Sequence, residues 1–316
     1  MYPTSLEANT MNMILLRGAA EQGFIYALVA LGLYLSFRTL NIADMTTDGS
    51  FTFGAACCAT VTLTGHPVLA LFAAVAAGAL AGFVTATLQT RLKIQPILAG
   101  IITMTALYSI NLKAMGGRSN VPLLRVETIF SLFEGVLPAS LAAYAKLILS
   151  GIITVCVSIT LIFFLKTRLG LSVRATGDNR TMVSASSINP AATTTVGICM
   201  ANALVAFSGA LLAQYQLFAE ITMGTGLVVI GLASLIIGEV FTDLLLKNPT
   251  VPVRIIGAIF GAVVYRMIIA AALSASVSAS DLKLVSALIV AVAISAPAVL
   301  DAYNLYKRRK EAKKNA

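Results

Sequence analysis

PVLALFAAVAAGALAGFVTATLQT, residues 67 to 90, contains no Asp, Glu, Lys or Arg from end to end. Wound as an α-helix at 1.5 Å per residue it reaches about 36 Å, longer than the ~30 Å hydrocarbon core of a bilayer. Outward from it the pattern repeats. Residues 94 to 112 and 284 to 300 are equally free of charge, and 138 to 165 carries only Lys146. Residues 181 to 219 are uncharged too, but TMVSASSINPAATTT is too rich in hydroxyl and amide side chains for lipid, so only the second half reads as a span. The chain therefore reads as an all-α, polytopic membrane helix bundle of about nine spans. They fall at 14–37, 49–64, 68–90, 95–113, 138–165, 193–216, 222–245, 252–274 and 282–303. The second is short and the seventh opens on Gly224 and Gly226, so both are expected to be broken or re-entrant.

The whole composition agrees. Of 316 residues 58% are hydrophobic and only 11% charged, against roughly 25% charged in soluble proteins. Mean hydropathy is +0.91 over the entire chain, which rules out a soluble domain on a single anchor. The N-terminus, MYPTSLEANTMN, lacks the basic start of a cleavable signal peptide, so the first apolar run is expected to stay in the mature protein. Cys57, Cys58, Cys156 and Cys199 lie in apolar runs without metal-ligand spacing and read as buried small hydrophobes; no metal site is expected. His66, before Pro67, reads as a loop residue.

Lys307, Arg308, Arg309, Lys310, Lys313 and Lys314 crowd the C-terminal tail. Beside apolar spans such a tail marks the cytoplasmic side rather than a nucleic-acid site. Alternating backwards from it places Arg38, Arg91, Lys93, the cluster Lys166, Arg168, Arg174 and Arg180, and Lys247 and Arg254 inside. Arg118, Arg125 and Lys283 fall outside, as the positive-inside rule expects. Gly78 with Gly82, and Gly257 with Gly261, stand at GxxxG spacing, which lets helix backbones approach closely.

Soluble-enzyme constellations are absent: the chain has no Ser/His/Asp arrangement, no GxxxxGK[ST] loop and no HExxH. It is not expected to be an enzyme or to hydrolyse ATP itself. Ionisable residues within spans are the next place to look, because each is costly in lipid unless paired or wet. They are Arg17, Glu21, Glu239 and Arg266. Arg17 and Glu21, one helical turn apart, can pair with each other. Glu21 and Arg266 stand at similar depth, about 10 Å and about 21 Å from opposite ends of their spans, so a helix-to-helix ion pair between them is the second reading. Either is favoured over substrate contact.

Two segments stand out between spans. Asn41 to Thr52, NIADMTTDGSFT, is polar and flanked directly by membrane sequence. It reads either as a solvated loop ending in a helix cap at Asp48 or Ser50, or as backbone lining a cavity. Lys166 to Ala192 is the largest inner loop. Within it Asp178 or Asn179 can cap a short helix near Arg180, and Asn189-Pro190 stops it.

In these segments the chain resembles a known family. LSFRTLNIADMTTDGSFTFGAA (35–56) and RLGLSVRATGDNRTMVSASSIN (168–189) resemble permease subunits of bacterial ABC importers of the branched-chain amino acid type, particularly the branch associated with aromatic amino acids. The second segment looks like that family's cytoplasmic coupling helix, matching at Arg174, Gly177, Asp178, Asn179 and Met182, with Ser187 where the family usually has Gly. The resemblance implies a permease domain over 1–303 with a cytoplasmic tail over 304–316, in the bacterial inner membrane with the C-terminus inside. It implies two cytoplasmic ATPase subunits that bind ATP and Mg, an extracellular substrate-binding protein and a second permease copy, with no cofactor in this chain. Thr46, Asp48, Ser50 and Thr52 would then lie near the translocation pathway or its gate. The solute would be an amino acid, with sugars and nucleosides as alternatives. The competing function is an ion-gradient-driven secondary transporter or channel, which needs its coupling-ion site within this chain.

Overall fold

Helix boundaries in this chain are set by prolines and short polar side chains. A computed structural model describes residues 5–246, 249–274 and scattered helical positions between 284 and 295. The helices are α1 (Ser5–Leu33), α2 (Thr46–Leu63), α3 (Pro67–Thr90), α4 (Pro96–Ala114), α5 (Ile129–Val136), α6 (Ala139–Ala142), α7 (Ala145–Lys166), α8 (Arg168–Asp178), α9 (Arg180–Ala185), α10 (Pro190–Gln216), α11 (Leu227–Leu245) and α12 (Val251–Ser274). Helices α3, α4 and α10 each begin at a proline, whose fixed φ and missing N–H suit a first helical position. Thr167, Asn179 and Asn189 cap α8, α9 and α10 with their side-chain oxygens.

Among the described residues seven helices are long and apolar enough to cross a bilayer: α1 with its extension, α3, α4, α7, α10, α11 and α12. They match seven of the expected stretches. The expected 49–64 is α2, a helix of 18 residues that is not among those seven and packs against α3, α4 and α10. The expected 138–165 begins later, at Ala145, because α5 and α6 fold as short helices before it. The ninth stretch, 282–303, and the basic tail lie outside the described residues apart from those scattered positions, as do Lys247 and Lys283.

Helix α1 is the central post. From Ile25 to Leu35 its residues are buried on every side, against α10, α7, α11 and α12. It continues into a π-helical turn, Tyr34–Thr39, of the kind that often marks a functional site. At one end of the bundle two short strands, β1 (Asn120–Pro122) and β2 (Phe218–Glu220), pair antiparallel, with Asn120 opposite Glu220 and Pro122 opposite Phe218. The segment α8–α9 lies elsewhere, linking α7 to α10.

Lipid tails are as apolar as leucine, so helix association in a membrane rests on close packing and on small residues. Both GxxxG pairs serve that purpose inside the chain. Gly78 and Gly82 of α3 lie against Ile198, Asn202 and Ala206 of α10, and Gly257 and Gly261 of α12 lie against Ser234 and Gly238 of α11. The reading of the four cysteines as buried is corrected at three of them: Cys58 is buried, but Cys156 is exposed on α7 and Cys57 and Cys199 are only half-buried. His66 sits in the turn before α3, as expected. A Cβ on Gly82 would stand 2.7 Å from the Ile198 carbonyl oxygen and 2.9 Å from Cys199 Cα. Gly82→Ala is expected to cost about 1–3 kcal/mol, read as a lower unfolding temperature in detergent, whereas Gly18→Ala, with nothing within 4 Å, is not.

Candidate functional site

From Ile42 to Thr52 the segment is buried or half-buried rather than solvated, and Asn41 alone in it is exposed. Helix α2 starts at Thr46 behind Met45, which makes no side-chain cap; the local acceptor is Asp44, whose Oδ1 takes the Thr46 N–H at 2.9 Å. Asp44 is almost fully buried, and its other oxygen accepts from Asn202 Nδ2 of α10 at 2.6 Å. Asn202 Oδ1 in turn accepts from Ser50 Oγ at 2.7 Å. Thr46 and Thr85 of α3 share a hydroxyl contact of 2.7 Å. Burial pushes the Asp44 carboxyl above the usual carboxylate range, opposed by the hydrogen bonds from Thr46 and Asn202.

Asp48 does not cap its own helix. Its two carboxylate oxygens accept from the N–H groups of Gly226 and Val228, each at 2.9 Å, so a residue of α2 closes the N-terminus of α11. That is a favourable place for a negative charge, because the first amides of a helix lack partners and carry its positive end. The close approach needs Gly224, where a Cβ would collide with the Asp48 carbonyl, and Gly226, which is left-handed at φ +82°.

Beside this junction lies a cavity of about 320 Å³ lined by Asp48, Thr52, Tyr108, Asn111 and Thr225 among others. Of the four residues expected near a pathway, Asp48 and Thr52 therefore line a cavity, while Thr46 and Ser50 are held in helix contacts. Asp44 and Asn202 escaped the sequence reading. Asp44 was legible only as part of a polar run, and Asn202 is a lone amide in an apolar span whose partner is 158 positions away.

The ionisable residues of the spans pair differently from one expectation. Glu21 lies 3.4 Å from Arg17 and accepts from Tyr215 Oη at 2.8 Å. The Glu21–Arg266 pair is not formed: Arg266 instead lies over the Tyr26 ring, 3.8 Å from its centroid, a favourable contact for a cation among apolar neighbours. Glu239 meets Arg38 at 2.7 Å and Arg254 at 3.8 Å.

In the segment 168–189 the residues divide between two surroundings. Gly177 is pressed against the Thr39 carbonyl at the end of the π-turn, and Arg174, half-buried, and Asp178 line a cavity there. Asn179 rather than Asp178 caps α9, accepting from Met182 N at 3.0 Å. Met182 is 68% exposed. Ser187, in the turn after α9, has φ +61°, the left-handed region where a side chain is strained and glycine is not. The serine therefore occupies a turn shaped for the glycine usual in the resembled family.

Membrane-length helices packed around the buried hydroxyl and carboxylate groups of α2, with a polar-lined cavity beside them, define a polytopic membrane protein with a polar interior. The chain belongs to the family described as the permease component of branched-chain amino acid transport systems, whose model matches residues 15–295. It is 37% identical over 270 residues to a tyrosine transport system permease protein of Clostridioides difficile, covering 85% of this chain and 86% of that one. It is 30% identical over 283 residues to an uncharacterised protein of Rickettsia prowazekii, covering 90% of this chain and 98% of that one. No solved structure matches.

Three substitutions at two positions check these geometries. Asp48→Ala removes the acceptor at the head of α11 and is expected to destabilise the protein by about 0.5–2 kcal/mol, with faster hydrogen exchange at the amides of Gly226 and Val228. Ser187→Gly is expected to stabilise by about 1 kcal/mol by relieving the left-handed strain, and Ser187→Val to destabilise, both read from thermal unfolding of the purified chain.

Proposed function

We propose that the chain is the transmembrane subunit of an ATP-driven importer for an amino acid, with aromatic amino acids, tyrosine foremost, as the solute class. A binding protein outside the cell delivers the solute, and a cytoplasmic ATPase pair, holding ATP and Mg, drives the cycle against two copies of the permease. The observation that carries the coupling is the capped, outward-turned α9 with Met182 exposed, strung between two membrane helices, α7 and α10. A short helix tied at both ends passes a push to the spans it joins. In this reading α8–α9 seats in a groove of the ATPase, with Met182, Asn179 and Asp178 at the contact and Arg174 and Gly177 holding the segment to the bundle.

The sidedness follows the same logic. Arg38, Arg174 and Arg254 line one cavity beside α8, and Lys93 and Arg180 line another beside α9, so basic residues collect where the coupling segment lies, as on a cytoplasmic face. Residues 1–303 then form the permease domain of an inner-membrane protein, and 304–316 a cytoplasmic tail. The solute class rests on the name of the Clostridioides difficile relative. The cavity at Asp48, Thr52 and Tyr108 is the part of the pathway this chain supplies, open enough for a solute whose selection falls mainly to the binding protein.

Proteoliposomes test the proposal. Tyrosine uptake is expected only when the permease, its ATPase, ATP and the loaded binding protein are together; uphill uptake by the permease alone under a proton or sodium gradient overturns it. Met182→Glu is expected to lower ATP-driven uptake by about tenfold or more, since seating a Met side chain in an apolar pocket contributes about 1.5–3 kcal/mol. Uptake equal to that of the unsubstituted protein counts against the contact.

A further inference from the structure

Where the π-turn, α8 and the start of α12 meet, the bundle leaves an open cavity of about 460 Å³ whose walls include Tyr34, Arg38, Arg174, Asp178, Thr250 and Arg254. Its walls are mainly basic: three arginines and one acidic residue, Asp178, line it. Glu239 sits behind the wall and engages Arg38 and Arg254, which fixes both side chains without lining the space. Arg174 has no carboxylate within 4 Å among the described residues. The opening turn of α12, 24 residues long, adds the positive end of a helix dipole through Thr250 and Val251. Arg38 falls at the end of the span Met13–Thr39 and Thr250 just before the span Val251–Ser274. The cavity therefore opens at the depth of lipid headgroups.

Anchored guanidinium groups around a partly enclosed space match an oxyanion with several acceptor oxygens, which they bind in paired hydrogen bonds. Basic pockets between membrane helices hold anionic headgroups for this reason. We propose that the cavity walled by Arg38, Arg174 and Arg254 is a binding site for a phosphate group, carried by an anionic lipid headgroup or by free phosphate. An occupant there bridges the first span, the segment α8 and the last described span, so it stiffens the junction between the coupling segment and the bundle. This holds whichever solute the protein carries.

Arg174→Gln is the informative variant, because removing Arg38 or Arg254 strips a partner from Glu239 whereas removing Arg174 leaves no carboxylate without its counter-ion. The full-length chain is examined by native mass spectrometry with phosphatidylglycerol against phosphatidylcholine of the same acyl chains, and by thermal unfolding across a titration of inorganic phosphate. Preferential retention of phosphatidylglycerol, weakened at least about tenfold in Arg174→Gln and partly restored in Arg174→Lys, supports the lipid source. A rise in unfolding temperature with inorganic phosphate, lost in Arg174→Gln and without a preference between lipids, supports the free ion. Absence of both effects overturns the site, as does either effect persisting unchanged in Arg174→Gln and in Arg254→Gln. Monodisperse elution of each variant at the unsubstituted position confirms that loss of binding is not loss of fold.

Discussion

Hydroxyl groups inside a bilayer have to be covered by protein, and the first turns of α2 carry several. Thr46, Ser50 and Thr52 are at most 4% exposed, and none of them reaches lipid. Each hydroxyl finds an oxygen within the bundle, on Thr85, Asn202 or the backbone of α2 itself. Without such partners a buried hydroxyl would cost several kcal/mol (roughly 2–7). The glycines complete the cover by letting neighbouring backbones approach until no lipid intervenes: Gly54 of α2 lies on Ala206, and Gly209 of α10 lies on Phe51. Small residues and hydroxyl groups are therefore two halves of one solution, the first enclosing what the second must satisfy.

Much of this was legible in the amino-acid order. Lipid-facing spans announce themselves as long charge-free stretches, and α3, α4, α10 and α12 fell within a few residues of their expected bounds. The short α9 and its cap at Asn179 were visible for a related reason: caps and proline stops act over three or four residues, so they leave local marks. Gly224 and Gly226 mark where α11 begins rather than a break within it: α11 runs unbroken from Leu227 to Leu245 and α2 from Thr46 to Leu63, so neither is the broken span their glycines and short length suggested.

What depends on distant partners was not legible. Asp48 looked like a cap for its own helix because that is the nearest use for an aspartate early in a helix; its actual amides belong to Gly226 and Val228. Glu21 had two basic candidates and took the one a turn away, Arg17, leaving Arg266 to an aromatic face. Glu239 stood out as an ionisable group in a span, but its partners come from the ends of two other elements, which no local pattern links to it. Asp44 and Asn202 show the same limit, since a buried amide and a buried carboxylate each look unremarkable until they are brought together.

The π-turn at Tyr34–Thr39 has one further consequence. A π-turn accommodates an additional residue in an otherwise regular helix, and each residue of an α-helix rotates the chain by about 100°. Were this stretch to shed that surplus and close into ordinary winding, everything after it would swivel, turning Arg38 off Glu239 and carrying Thr39 away from Gly177. The winding of this one turn therefore sets the bearing of all that follows the central post, and it is the winding that puts Arg38 on Glu239 and Thr39 on Gly177.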